Sequence, residues 1–145
     1  MKIRDWMAVM VLMGIVLGGC GWFEDPTPES VRVVIDGTPG DSLRVVTSTV
    51  FVAAENESGQ TTVNTLTADT ATWVLPVDRM FDIRGDNRFL LLALPGDSTL
   101  SIPIQANIQI DARTPFASNV DVTQGNPLLF LFLFNQEVLS DFELI

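Results

Sequence analysis

The chain has 145 residues, with 8 Lys and Arg against 18 Asp and Glu, no histidine and one cysteine, and its formal net charge is −10. This length suits one domain with a single hydrophobic core rather than two domains. So much negative charge repels phosphate backbones and excludes nucleic acid as a partner. One cysteine and no histidine leave no basis for a disulfide or a thiolate metal site, and we expect no cofactor.

Residues 1–19 have the pattern of a signal peptide for export. Lys2 and Arg4 precede a stretch from Trp6 to Leu17 that is almost wholly apolar, and two glycines follow it. A basic start, a short apolar core and small residues are typical of secretory signals. The apolar stretch is shorter than the ~20 residues that a membrane-spanning helix needs.

The segment Leu17-Gly18-Gly19-Cys20 resembles the lipobox of bacterial lipoproteins. The resemblance implies cleavage before Cys20 and attachment of acyl chains, palmitate among them, to that residue. Several acyl chains anchor a protein stably, at ~0.8 kcal/mol per buried CH₂. Because Gly21 rather than aspartate follows the cysteine, the resemblance implies a lipid-anchored location in the cell envelope, with the outer membrane favoured in an organism that has two membranes.

Residues 20–30 predict a short tether between the lipidated cysteine and a domain of residues 31–145. Pro26 and Pro28 stiffen this segment, and its carboxylates keep it in water. Ten residues extend at most ~35 Å, so we expect the domain to stay close to its membrane.

From Val31 onward, apolar residues recur with a period of two, as in β-strands. The clearest case is Leu100–Asp111, whose even-numbered residues are all apolar and predict one buried face. Pro103 on the other face predicts an edge position or a bulge. Shorter strands are predicted at Val31–Ile35, Leu43–Ala54 (one bent strand or two), Thr61–Leu66, Thr72–Val77 and Phe81–Ile83. The continuous apolar runs Phe89–Leu94 and Leu128–Phe134 predict central strands covered on both faces.

Turns rich in Gly, Pro and Asp separate these segments, and no long segment has a helical period. The pattern predicts an all-β domain: a single antiparallel β-sandwich, immunoglobulin-like in architecture, with seven or eight strands. Trp73, Leu75 and Val77 are expected to point into its core. A small β-barrel is the alternative.

Three stretches contain residue types that metal sites and enzymes use. Asp78, Asp82 and Asp86 lie close together in sequence, and carboxylates are calcium ligands, but interleaved arginines favour solvated charge over a metal site. Asp69-Thr70-Ala71 is similar to the Asp-Thr-Gly loop of retropepsins, with alanine replacing the glycine. Ser42 lies in a Gly-Asp-Ser-Leu tetrapeptide like that of the GDSL esterases, but the chain has no histidine to act as its base. No catalytic residue is predicted.

The sequence therefore favours a non-catalytic binding or accessory module in the envelope, held to the membrane through Cys20 and contacting an envelope protein through loops or a sheet edge. Two alternatives stay open. One is a hydrolase that uses carboxylates alone. The other is a carrier that shelters an apolar molecule between the sheets, next to Leu90, Leu92, Phe130 and Phe132.

Overall fold

The computed structural model describes residues 26–144; the predicted signal peptide, Cys20 and the first part of the tether lie outside the described residues. Residues 26–144 contain no helix long and apolar enough to cross a membrane. The strands are β1 (Ser30–Gly37), β2 (Ser42–Glu55), β3 (Thr61–Val74), β4 (Val77–Asp82), β5 (Arg88–Pro95), β6 (Ile102–Ile110), β7 (Phe116–Val122), β8 (Leu128–Leu133) and β9 (Glu143–Leu144).

These strands form two sheets that pack face to face. One sheet has the order β4-β1-β6-β7 and the other β8-β5-β2-β3-β9, and every pair is antiparallel except β3 with β9. The prediction of a β-sandwich is confirmed, with eight strands and the two-residue β9. β1 and β2 lie in opposite sheets, whereas the first two strands of an immunoglobulin domain are neighbours in one sheet. The likeness to immunoglobulin domains is therefore one of architecture and not of connections.

The main core lies between the sheets and is built from alternate residues of each strand. Ile35, Ile104 and Ile108 are at most 4 % exposed, as the alternation predicts. Trp73 also lies in this core and stacks on Phe81, with 6.0 Å between the ring centroids. Burial of a side chain of this size contributes ~1.5–3 kcal/mol, so this core supplies most of the stabilisation.

A second, smaller core lies on the outer face of the five-stranded sheet, under residues 135–144, which we call the C-terminal strap. Phe142 of the strap packs there in a cluster of buried residues with Phe51, Val63, Leu90 and Leu131. A bridge between Leu131 and Leu139 holds the strap to β8, and β9 pairs with β3 at Thr62 and Val63.

Several predicted strands differ from those observed. Thr61–Leu66 and Thr72–Val77 were expected to be separate strands, but β3 is continuous to Val74, and Val77 begins β4 in the other sheet. β8 is an edge strand rather than a central one, and its outer face is covered by the strap. β7 was not predicted, and Leu100 precedes β6 and is 49 % exposed.

Pro103 lies in β6, which is a central strand between β1 and β7. The pairing of β6 with β1 ends at Ile104, opposite Gly37, whereas Pro103 still pairs with Asp121 of β7. At Pro103 the strand therefore has a neighbour on one side only, which leaves room for a residue without an N–H group.

The β2–β3 hairpin changes faces at a bulge. Thr47 pairs with Asp69 and Phe51 with Thr65, and the register is irregular between these pairs. Before the bulge, Leu43 belongs to the core between the sheets; after it, Phe51 belongs to the core under the strap. Because the last pair of β2 with β5 is Ser48 with Leu90, residues 50–67, which we call the hairpin end, continue beyond the part of β2 that pairs with β5.

Candidate functional site

The strand edges of the sandwich differ in how they are protected. β8 is covered by the bridge to Leu139, and the six residues of β4 include the charged Asp78, Arg79 and Asp82. β3 pairs with β9 only at Thr62 and Val63. Within residues 26–144, no strand pairs with the outer side of β3 from Asn64 to Val74, a segment that we call the free edge. Charged side chains and prolines usually block pairing at a strand edge. The free edge contains one charged residue, Asp69, and no proline.

The free edge is unusually exposed and carries apolar side chains. All seven residues from Leu66 to Thr72 are exposed. Large hydrophobic side chains that are exposed in the described part of the chain concentrate here: Val50, Val52, Leu66 and Val74 lie on β2 and β3, and Leu66 is 66 % exposed. Of the two edge strands of the other sheet, β4 has one of them, Met80, and β7 has none. Exposed apolar surface beside an unpaired edge is typical of a binding site.

The ladder with β2 determines which backbone groups face outward. The N–H of Leu75 donates to the carbonyl oxygen of Asp41 at 2.9 Å, and the N–H of Gly96 donates to that of Ser42 at 2.8 Å. In an antiparallel ladder, successive residues bond alternately to the two sides. Asp69, Ala71 and Trp73 therefore bond to β2, whereas Thr70, Thr72 and Val74 present their N–H and C=O groups at the free edge.

A cleft of about 240 Å³ lies between the free edge and β4, where the two sheets meet. Phe81 and Phe89 line it, with 4.9 Å between their ring centroids. The rest of the lining is one apolar residue, Val50, together with hydroxyl-bearing residues and two carboxylates: Thr47, Ser48, Thr49, Thr67, Asp69 and Asp82. The volume is below the ~300–1,000 Å³ of typical small-molecule sites, so the cleft matches one side chain better than a free ligand.

The two carboxylates of this cleft have different surroundings. Arg84 hydrogen-bonds Asp82 through its side chain and its backbone N–H, and lowers the pKa of Asp82 to about 2. Asp82 is therefore ionised at neutral pH and holds no proton to give to a substrate. In the described part of the chain, no arginine forms an ion pair with Asp69.

Most arginine side chains of the domain contact carboxylates or aromatic rings of the same domain. Arg32 pairs with Asp78, and Arg84 with Asp82. Three others lie over aromatic rings: Arg79 over Trp73, Arg88 over Phe51, and Arg113 over Phe132 and Phe134. Residues 26–144 contain 6 arginines and 15 carboxylates, so the surface keeps a large negative excess.

The structure does not bring the candidate calcium ligands together. Asp78 pairs with Arg32, whose hydrogen bond lowers the pKa of that carboxyl, and Asp82 pairs with Arg84. No group of three or more acidic, histidine or cysteine side chains that could hold a metal ion is found in residues 26–144. The Asp69-Thr70-Ala71 segment lies within β3 and not in a loop.

The four residues considered for an apolar carrier also lie apart. Phe130 and Phe132 belong to the core between the sheets, whereas Leu90 belongs to the core under the strap. Leu92, two residues after Leu90 in β5, lies on the same outer face. These side chains therefore do not line one shared cavity.

A second cleft, of about 720 Å³, lies at the other end of β1. It is open and is lined by Asp36, Gly37, Thr38, Pro39, Pro103, Ile104, Gln105, Asn119, Val120 and Asp121. This lining offers hydrogen-bonding groups but no aromatic surface and no cation.

Comparisons with family models, with curated proteins and with solved structures find no match for this chain. The assignment of this candidate site therefore rests on its geometry alone. Sequence reasoning named a sheet edge as a possible binding surface but not which one. The available signal was the long Thr- and Ala-rich stretch from Asn64 to Thr72 with a single charge.

Proposed function

We propose that this protein is a lipid-anchored envelope protein whose β-sandwich binds a partner protein by strand addition at the free edge of β3. The observation that carries the proposal is the unprotected edge itself. Among the described residues, it combines unpaired backbone groups, exposed apolar side chains and a single charge. The lipid anchor rests on the resemblance of Leu17–Cys20 to a lipobox.

Strand addition uses groups that the free edge already presents. A partner segment in extended conformation pairs with the outward N–H and C=O groups of Thr70 and Thr72, and main-chain hydrogen bonds supply affinity. Its side chains alternate between the two faces of the sheet. On one face they lie beside Val74, and on the other beside Asp69 and the cleft.

Anchoring favours this kind of binding. A tether of about ten residues keeps the domain within ~35 Å of the membrane, so the partner is a protein of the same envelope. Confinement near one surface raises the effective concentration of two partners, which suits a site of modest intrinsic affinity.

In-cell photocrosslinking tests the proposal. A photoreactive residue is placed at Thr72 on the free edge and, in a matched control, at Asn119, which is an exposed polar residue of the edge strand β7. We expect one dominant envelope protein to be captured from position 72 and not from position 119. A Cys20→Ala variant of the position-72 chain should leave the membrane fraction and lose that crosslink.

Three results would count against the proposal. Capture of the same proteins from both positions would show that the edge is not selective. No capture from position 72 would remove strand addition there. Retention of the Cys20→Ala chain in the membrane fraction would remove the lipid anchor.

A further inference from the structure

We infer that the cleft between the free edge and β4 accepts a guanidinium or ammonium side chain from the partner strand, so that the partner is recognised by a basic residue within an extended segment. This inference rests on the proposed function and specifies the chemistry of its partner.

The lining of the cleft suits a cation. Asp69 lines it from β3, and among the described residues no ion pair satisfies this carboxylate. Phe81 lines the cleft and is partly exposed, whereas Phe89 is buried behind it. A cation within about 6 Å of a ring centroid is attracted to the face of the ring. The hydroxyls of Thr47, Thr49 and Thr67 add oxygen acceptors around the same space.

Position along the strand links the cleft to the free edge. Asp69 pairs with Thr47 on the side of β3 that faces the other sheet, the side on which Trp73 is buried. A partner strand that pairs with Thr70 and Thr72 places every second side chain on that same side. A basic residue opposite Asp69 therefore reaches the cleft without any change in the course of the strand.

A second copy of this chain fits the free edge and the cleft less well than a partner strand with a basic residue. β3 contains Asp69 and no Lys or Arg, so two copies joined through this strand offer no cation to either cleft. Each copy also has a formal net charge of −10, and like charges oppose their approach. A metal ion lacks a ligand set here, since Asp82 is engaged by Arg84.

A pair of synthetic peptides tests the inference on the full-length protein in detergent. Both are nine-residue peptides of alternating Thr and Val with blocked ends; one has a central arginine and the other its uncharged analogue citrulline. Fluorescence anisotropy measures their binding. We expect the arginine peptide to bind at least tenfold more tightly, a difference typical of one charge-assisted contact.

Variants locate the effect in the cleft. Asp69→Asn should abolish the preference for arginine, whereas Asp121→Asn, which removes an exposed carboxylate from β7, should retain it. Thr72→Pro, which removes an N–H from the free edge, should weaken the binding of both peptides by the same factor.

The inference is overturned if the two peptides bind equally, if neither binds, or if Asp69→Asn leaves the preference intact. A monomer–dimer equilibrium abolished by Thr72→Pro would also overturn it and assign the edge to a second copy. Equal binding of the two peptides, together with selective crosslinking from position 72, would reject the basic residue and leave the proposed strand addition standing.

Discussion

Asp111 fixes the beginning of the domain. Its carboxylate accepts hydrogen bonds from the N–H of Glu29 at 2.8 Å, from the N–H of Ser30 at 2.9 Å and from the hydroxyl of Ser30 at 2.8 Å. Asp111 itself has a φ of 42°, a conformation that aspartate and asparagine tolerate better than most residues. One side chain from the end of β6 thus holds the point where the predicted tether meets β1.

Replacing Asp111 with asparagine tests this role. Asparagine tolerates the same backbone conformation but lacks the charge and one acceptor oxygen, so we expect Asp111→Asn to cost roughly 1 kcal/mol, as for the loss of one hydrogen bond. In a domain of this size that corresponds to a Tm lower by about 4 °C at pH 7. Thermal unfolding followed by circular dichroism measures it.

The pH dependence of this difference follows from the pKa of Asp111. Burial raises the pKa, but the hydrogen bonds from Glu29 and Ser30 outweigh it, and the pKa in the folded state is lowered from 3.8. A lowered pKa stabilises the fold above the ordinary value, and this contribution is lost as the pH falls through the folded-state value. The Tm difference should be full above pH ~5 and should shrink below pH ~4; a constant difference down to pH 2 would contradict this account.

The C-terminal strap is the element that completes the five-stranded sheet. The buried Phe142 joins it to Phe51, Val63 and Leu90 on the outer face. Apart from the bridge at Leu139 and the two residues of β9, few backbone bonds hold it. Leu139 and Leu144 of the strap pack against the same cluster, so its attachment depends on apolar packing, with Phe142 at the centre, more than on its hydrogen bonds.

Truncating that side chain should destabilise the whole domain. We expect Phe142→Ala to cost about 3 kcal/mol, as for other buried phenylalanines, while Phe142→Leu keeps most of the volume and should cost less than ~1.5 kcal/mol. Urea unfolding measures both variants. Equal stabilities for Phe142→Ala and the unmodified chain would mean that the strap contributes nothing to the fold.

Two adjacent residues of β3 test which backbone groups face outward. Ala71→Pro removes an N–H that bonds to β2 and leaves an acceptor of Val45 without its partner, at a cost of roughly 1–3 kcal/mol. Thr72→Pro removes an N–H that faces the free edge, so its Tm should stay close to that of the unmodified chain. Similar losses of Tm in both variants would show that the assignment of outward groups is wrong.

The sequence predicted the strands in which buried and exposed faces differ in polarity. β1 and β6 alternate between isoleucine or valine and polar residues, so their faces were clear. β3 is built largely from Thr and Ala, which give little contrast between its faces, and it was predicted as two strands. β7 was not predicted, although its apolar residues Phe116, Val120 and Val122 lie on one face and Asn119 and Asp121 on the other. β8 is apolar on both faces because the strap covers it, and the sequence could not distinguish this from a central position.

The candidate site was harder to predict than the fold, because an edge is a property of pairing. Leu66 and Asp69 are ordinary strand residues until the order β8-β5-β2-β3-β9 leaves one side of β3 open. The face change at the bulge between Thr47 and Phe51 also needs both strands to be seen.

At the scale of the whole molecule, the start of β1 and the hairpin end lie at the same end of the sandwich. Ser30 pairs with Asp82, and Asp82 lines the same cleft as Val50 and Thr67. The free edge runs from this end along the body of the domain, where a partner strand has access to it.

The open side of β3 also bears on how the protein behaves in concentrated solution. An unpaired strand edge with exposed apolar side chains is a template for aggregation into extended sheets. Mutual repulsion between acidic molecules opposes this, and it disappears near the sequence pI of about 4.1 or is screened at high salt. Colloidal stability therefore comes from the net negative charge of the protein, and dilute, low-salt, neutral solutions are the conditions in which it should remain dispersed.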